Sequence, residues 1–483
     1  MITQDLVQVF DMLSEPAARM ATAPMLALAV GVALYLLCEV IDLLRTARPI
    51  VFLGSIALSI FYELRILQAD SAPGAVFDGT FIADGQTALW GILFLVGTLL
   101  VWAYSVGYYR ENLPFKAEYD ALILCTPVGM MLMVGANDLI VFFVGLELLS
   151  MPLYALAAFR RAKIESVEAG LKYFLLGSFS SALFLYGAAL LYANGGTLAL
   201  DALVAESNLA TTGVALVAAS LFFKVSVFPF HLWVPDVYQG SPTPITALMA
   251  TGAKAGAFSF LIVRLTPLLP PAAAQTVAVI ALVTMALGNL GALVQRDLKR
   301  MLAYSGIAHA GTLLLVVAAG VALGDTSGGE QAAWYYMGAY LFTATGAFGL
   351  ISLLEADGAR FTNLDALRGL AHSRPGIAAA LSLFMLSLGG IPATGGFLGK
   401  WFVFAELVRA DMIGVAVLGA LFTVVALGYY LRVIAYLWME PPPEGAALSN
   451  TQRPLTAGLA TVFCCLGVLA MGLLPALFLD RMN

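Results

Sequence analysis

The chain has 483 residues, 61% of them hydrophobic and only 11% charged, with a mean hydropathy of +0.91. That composition lies far outside the range of soluble globular domains and marks an integral membrane protein. The net charge of −6 carries little information, because topology follows the placement of Lys and Arg and not their sum, and no nucleic-acid partner is expected.

A spanning helix needs about 20 apolar residues. Runs of that length, separated by short polar or Gly/Pro punctuation, divide the chain into fourteen predicted spans. An N-terminal segment, 1–20, lacks a basic start and a small-residue cleavage site, and reads as a short extracytoplasmic or interfacial piece and not a removable signal. Three spans follow at 22–44, 50–67 and 86–109, then five at 119–136, 138–159, 167–193, 209–231 and 244–267. Five more lie at 275–294, 300–322, 332–356, 376–407 and 412–439, and the last at 456–478. The runs are continuously apolar, whereas barrel strands alternate, so the expected fold is an all-α polytopic membrane protein with no soluble domain.

Basic residues cluster in alternate loops: Arg45 and Arg48; Arg110 and Lys116; Arg160, Arg161 and Lys163; Arg296, Lys299 and Arg300; Arg360, Arg368 and Arg374; Arg453. Those loops are predicted to be cytoplasmic, which with an even span count puts both termini outside; Arg264 and Arg409 are strays. Cys38, Cys125, Cys464 and Cys465 fall in apolar runs without metal-ligand spacing, and the three histidines are scattered. No zinc, haem or iron–sulfur site is expected.

Four charges lie deep in predicted spans: Glu147, Lys224, Lys254 and Lys400. Each costs about 2.5 to 3.5 kcal/mol near the centre of a spanning helix on insertion scales, so each needs a reason. Glu39, Asp42, Glu63, Lys172 and Arg432 sit near span ends, where a side chain can reach the interface, but a lysine stem does not reach from mid-membrane. A static Glu147–Lys224 ion pair is one reading of the central charges; a proton path is the other. Three of seven lysines are central, while arginines keep to the rims. Lysine can exchange its proton once buried, which arginine cannot. His309, about a third of the way into its span, is placed to bridge Lys254 and Lys400.

Proline supplies a second signal. Pro229, five residues past Lys224, cannot bond the Val225 carbonyl, and Pro392, among Gly389, Gly390, Gly395, Gly396 and Gly399, cannot bond that of Leu388. Unwound backbone at such depth faces protein or a water-filled cavity. Both prolines fall in the fourth helix of a run of five, which predicts two inverted five-helix repeats with broken helices: 118–268 (helices 4–8) and 269–440 (helices 9–13), preceded by 1–117 (helices 1–3) and followed by 441–483 (helix 14).

The stretch FFKVSVFPFHLWVPDVYQGSPTPITALMATGAKAG resembles the KxxxxPFHxWxPDxYxGxPTPxxAxxxxxxK signature of the antiporter-like membrane subunits of respiratory complex I, the bacterial NADH:quinone oxidoreductase. RDLKRMLAYSGIAHAG and IPATGGFLGKW are similar to two further segments of that family, and the resemblance covers about 118–440. It implies that Glu147 tunes Lys224, that Lys224 holds the proton of an inward half-channel, that Lys254 and His309 connect, and that Lys400 ends an outward half-channel. It also implies that FMN, iron–sulfur clusters and quinone reside in partner subunits and none in this chain. The partners implied are M-type and small K/J/A-type membrane-arm subunits, in a bacterial inner membrane with both termini periplasmic. The L type carries a long lateral helix with no counterpart past Phe478, and the M type has Glu where Lys400 stands. The rival readings are a subunit of a multi-component cation/proton antiporter, which shares the helix-seven and helix-twelve motifs, and a scaffold with static charges. No nucleotide or nucleophile motif appears, so catalysis by this chain alone is not expected.

Overall fold

A computed structural model of the chain describes residues 15–69, 72–112, 116–356, 362–442 and 454–479. The part of the predicted interfacial segment before residue 15 lies outside the described residues. Helices α1 (Pro16–Val40), α2 (Arg48–Leu67) and α3 (Gly85–Asn112) come first, with a short hairpin, β1 (Gly74–Val76) and β2 (Phe81–Ala83), between α2 and α3. The start of α1 precedes the predicted 22, because Pro16 at its first position already has a helical φ and needs no N–H partner.

The first repeat comprises α4 (Lys116–Gly135), α5 (Leu139–Ala157), α6 (Ile164–Gly195), α7 (Asn208–Val225) continued by α8 (Trp233–Gly240), and α9 (Thr243–Ala250) continued by α10 (Gly252–Phe260). The second comprises α11 (Ala273–Val294), α12 (Leu298–Leu323), α13 (Ser327–Ala356), α15 (Pro375–Gly389) with α16 (Gly395–Arg409), and α17 (Ile413–Trp438), with one turn, α14 (Leu370–Ser373), ahead of α15. Helix α18 (Leu455–Leu473) and the turn α19 (Ala476–Leu479) follow. Among the described residues thirteen helical segments are long and apolar enough to cross a membrane, and the predicted span 376–407 is two shorter helices, α15 and α16, on either side of a break. Counting those two as one, the crossings among the described residues number fourteen.

The repeats share details that the sequence did not advertise. Asp138 caps α5 by accepting from the Ile140 N–H and forms an isolated bridge with Ala199; Asp297 caps α12 by accepting from the Arg300 N–H and bridges Asn363. Five crossings separate the two caps, so they lie on opposite sides of the membrane, as an inverted repeat requires. The hairpins α4–α5 and α11–α12 are packed alike. A Cβ on Gly129 would lie 2.5 Å from the Leu149 nitrogen, and one on Gly288 2.5 Å from the Ala308 nitrogen. Such backbone approach is how helices gain contact in lipid, where water exclusion supplies no drive between them.

Burial follows the same plan. The span Thr243–Leu268 is wholly enclosed and those of α12 and α13 nearly so, while α1, α2, α6, α17 and α18 face outward. The enclosed helices carry Lys254 and His309, so the centre of the line is remote from lipid.

Candidate functional site

Lys224 lies in the last turn of α7 and is buried. The helix ends one residue later because Ser226 adopts a left-handed conformation, φ 69°, and the N–H groups of Ser226 and Val227 turn back to the carbonyls of Phe223 and Phe222. The break thus starts three residues ahead of Pro229, which lies in the following turn and not in a helix interior as predicted. Trp233 closes the gap from the far side: its indole N–H donates to the Phe223 carbonyl at 3.1 Å and its ring stacks on Tyr173 at 4.6 Å.

The Lys224 ammonium donates to Ser150 Oγ at 2.7 Å and Tyr173 OH at 3.2 Å, and sits 5.3 Å and 5.9 Å from the ring centres of Tyr173 and Tyr154. Glu147, three residues before Ser150 on α5 and so on the same face, accepts from Ser181 and makes no contact ion pair with Lys224. The static pair considered from sequence is absent among the described residues. The two charges act on each other across the Ser150 turn.

Lys254, on α10, donates to the Gly306 carbonyl of α12 at 2.9 Å and lies 5.9 Å from the Tyr238 ring centre. A Cβ at 306 would stand 3.2 Å from Tyr340 OH and 3.3 Å from the ammonium, so glycine lets both approach without crowding. One turn along α12, His309 has both ring nitrogens on tyrosines: Nδ1 to Tyr336 OH at 2.5 Å and Nε2 to Tyr430 OH at 3.1 Å, with Tyr430 in turn 2.5 Å from Ser305 Oγ. A hydroxyl can donate or accept, so either imidazole tautomer is satisfied. Lys254 and Lys400 both act electrostatically on this ring.

Lys400, on α16, donates to the Leu388 carbonyl at 2.7 Å. That carbonyl belongs to the last turn of α15, which ends because Gly390 is left-handed, φ 81°, and the Ile391 N–H turns back to the Leu386 carbonyl; Pro392 lies in the following turn and not in a helix interior as predicted. A small cavity of about 10 Å³, room for about one water, is lined by Lys400, His309, Asn289 and Tyr430. A second of similar size, lined by His309, Tyr336, Ser387 and Leu388, lies beside it. His309 therefore borders both spaces, one of which reaches Lys400.

Sequence reasoning missed the hydroxyl partners Ser150, Ser181, Tyr173, Tyr336 and Tyr430, which look like ordinary members of apolar runs. It also misplaced Lys299, read as a loop residue beside Arg296 and Arg300. Lys299 is in the first turn of α12, 1% exposed, with Nζ 3.5 Å from Glu355 Oε1 and 2.8 Å from the Ser241 carbonyl. Thr243 Oγ1 donates to Glu355 Oε2 at 2.5 Å, and Arg160 donates to the Gly240 and Ser241 carbonyls. This cluster ties the end of α8 and the start of α9 to α12 and α13. Nearer the surface, Asp236 on α8 accepts from Lys172 at 2.8 Å and Arg300 at 2.7 Å. Partial burial pushes the Asp236 carboxyl up, but the hydrogen bonds from the two cations outweigh it and hold the group below the usual range. Lys172 is thus an ion-pair residue, and Arg432 near its helix end donates to the Leu293 and Gln295 carbonyls, closing the C-terminus of α11.

Residues 136–426 match the family described as NADH:quinone oxidoreductase/Mrp antiporter, transmembrane. A protein of Salinibacter ruber named NADH-quinone oxidoreductase subunit N is 40% identical, covering 90% of this chain and 89% of its own. The chain belongs to the NADH-quinone oxidoreductase subunit N family. A chain of respiratory complex I from Thermus thermophilus with bound aureothin has a TM-score of 0.80 at 35% identity, over 95% of this chain and 99% of that one. A chain of the Mrp complex of a Dietzia species has a TM-score of 0.81 at 22% identity, over 96% of each, a likeness of fold alone. Subunit N is thus the narrower assignment, resting on identity along nearly the whole chain.

Proposed function

We propose that protons cross this chain along the buried line from Glu147 and Lys224 through Lys254 and His309 to Lys400. As a subunit N, the chain is a proton-translocating membrane subunit of NADH:quinone oxidoreductase. Redox chemistry belongs to other subunits of the complex, with FMN, iron–sulfur clusters and quinone as the groups expected there. Its neighbours in the membrane arm are then an M-type antiporter-like subunit and small K/J/A-type subunits, in a bacterial inner membrane with both termini on the periplasmic side.

The observation that carries the path is the pairing of broken helices with lysines whose partners are exchangeable. Lys224 rests on two hydroxyls, Lys254 on a helix carbonyl, and Lys400 on a carbonyl left open where α15 ends. Each amine keeps further capacity for a water, and among the described residues no carboxylate holds any of the three in a contact ion pair. The spaces flanking His309 supply room at the last step. Between the lysines transfer runs through water admitted as the broken helices shift, while Glu147 sets how strongly Lys224 holds its proton.

The test is NADH-driven proton uptake by inverted membrane vesicles carrying the assembled complex with Lys224→Ala or Lys400→Ala. Both should lose most of the pumping assigned to this subunit while the complex still assembles. Normal pumping per NADH in both variants would leave the lysines as scaffold and remove the path.

A further inference from the structure

Outside the proton line, an open groove of about 640 Å³ runs between α1 and α2, lined chiefly by apolar and small residues such as Leu26, Ala27, Gly31 and Gly54. Gly31 meets Ser55 at the helix crossing, so the antiparallel helices are in register there. From that crossing, at about 1.5 Å per residue, Arg19 lies about 18 Å toward one end and Tyr62 about 10 Å toward the same end. The lining from Arg19 to Leu34 runs about 22 Å along α1, longer than one leaflet of a hydrocarbon core about 30 Å thick.

The chemistry at that end is cationic. Arg19 and Tyr62 both line the groove, and among the described residues neither the guanidinium nor the hydroxyl has a hydrogen-bond or ion-pair partner. Arg65, exposed on α2 about 15 Å from the crossing, stands at nearly the height of Arg19 and is likewise unpaired among the described residues. Arg19 is in the first turn of α1, where a membrane helix meets headgroups. Two uncompensated guanidinium groups and a phenol at headgroup depth, above an apolar channel floored by Ala and Gly, match a phosphate followed by an acyl chain.

We infer that the α1–α2 groove is a binding site for an anionic phospholipid, its phosphate held by Arg19, Tyr62 and Arg65 and one acyl chain laid along Ala27, Gly31 and Gly54. The site is independent of proton transfer. A purely apolar partner helix in the same groove would leave the two arginines without a counter-charge, which a phosphate supplies.

The experiment uses the intact complex in lipid nanodiscs with photoactivatable phosphatidylglycerol or phosphatidylcholine, followed by peptide mapping. Labelling of the 16–34 and 48–62 segments should be stronger with the anionic probe by about fivefold for each arginine engaged. Arg19→Gln with Arg65→Gln should abolish that preference. Gly54→Phe should remove the labelling itself: a Cβ at position 54 meets nothing within 4 Å, so the ring enters the groove without disturbing the helices. Equal labelling by both probes means only annular lipid and overturns the proposal. No labelling by either, with loss of a neighbouring subunit in Gly54→Phe, assigns the groove to a protein partner and also overturns it.

Discussion

The buried Lys299–Glu355 pair gives the sharpest energetic prediction. At 3.5 Å, with side chains 1% and 10% exposed, the attraction is about 4.7 kcal/mol at an effective dielectric near 20. Removing two charges from water costs several kcal/mol per ion, so the pair as a whole adds little net stability. Losing one partner is different. In Lys299→Met the Glu355 carboxylate keeps the Thr243 hydrogen bond and the more distant charge of Arg160 but loses its ion-pair partner, and in Glu355→Gln the Lys299 ammonium keeps the Ser241 carbonyl. Each single variant should lose about 3 to 5 kcal/mol, and the double variant should recover most of it. The measurement is the fraction of complex still assembled on native gels after graded heating, for wild type, both singles and the double, read as a double-mutant cycle. If the double is as unstable as the sum of the singles, the two charges are uncoupled and the proposed tie between the α8–α9 junction and α13 is wrong.

Lys224→Arg should lose nearly as much proton pumping as Lys224→Ala, because arginine does not release its proton; near-normal uptake in the Arg variant would refute a relay role. Ser150→Ala removes a hydrogen bond to the Lys224 ammonium worth about 1.5 to 3 kcal/mol, so pumping should fall by about tenfold or more while assembly is kept. Gly390→Ala places a Cβ 3.1 Å from Lys400 Cδ at a residue with φ 81°, and should lower pumping more than the same change at Gly376, where nothing lies within 4 Å. Asp236 is held below its usual range, so its ion pairs contribute stability above the unfolded carboxyl value near 3.9, and that contribution fades as pH falls through the lower folded value. Asp236→Asn should therefore be modestly less heat-stable than wild type at pH 7, and the gap should close below about pH 4.

The spans were legible because lipid demands about 20 apolar residues in a row, a signal with few imitators. The central charges were legible for the converse reason: Glu147, Lys224, Lys254 and Lys400 break that rule. Pro392 marked the neighbourhood of the break after α15 but not its onset, which the left-handed Gly390 sets. The onset of the α7 break did not show, because Ser226 in a left-handed conformation leaves no mark in composition. Lys299 sat among Arg296 and Arg300, and only tertiary packing against Glu355 separates it from them. Hydroxyl partners such as Ser150 and Tyr173 were invisible because serine is common at helix contacts and tyrosine at membrane interfaces. Glu147 was read as a pairing partner from charge, but its distance from Lys224 depends on helix rotation.

The repeat sets two lysines beside corresponding breaks, Lys224 ahead of its break and Lys400 beyond it, and the structure gives them unlike partners. Lys224 follows a rule of hydroxyls, Ser150 and Tyr173, which accept from an ammonium and can equally donate to a neutral amine. Lys400 faces the Leu388 carbonyl, which only accepts. At Lys224 the hydrogen bonds therefore survive a change of charge state by reversing direction, and the cost of switching falls on the more distant Glu147. At Lys400 a neutral amine has no donor on the Leu388 side, so a change of charge state has to be met from the His309 cavity, by water or by the imidazole with its two tyrosines. One lysine is thus arranged to change charge in place, and the other to exchange with the space beside it. The inverted symmetry supplies two breaks at equivalent positions, and the side chains around each break make one half a holding site and the other a transfer point.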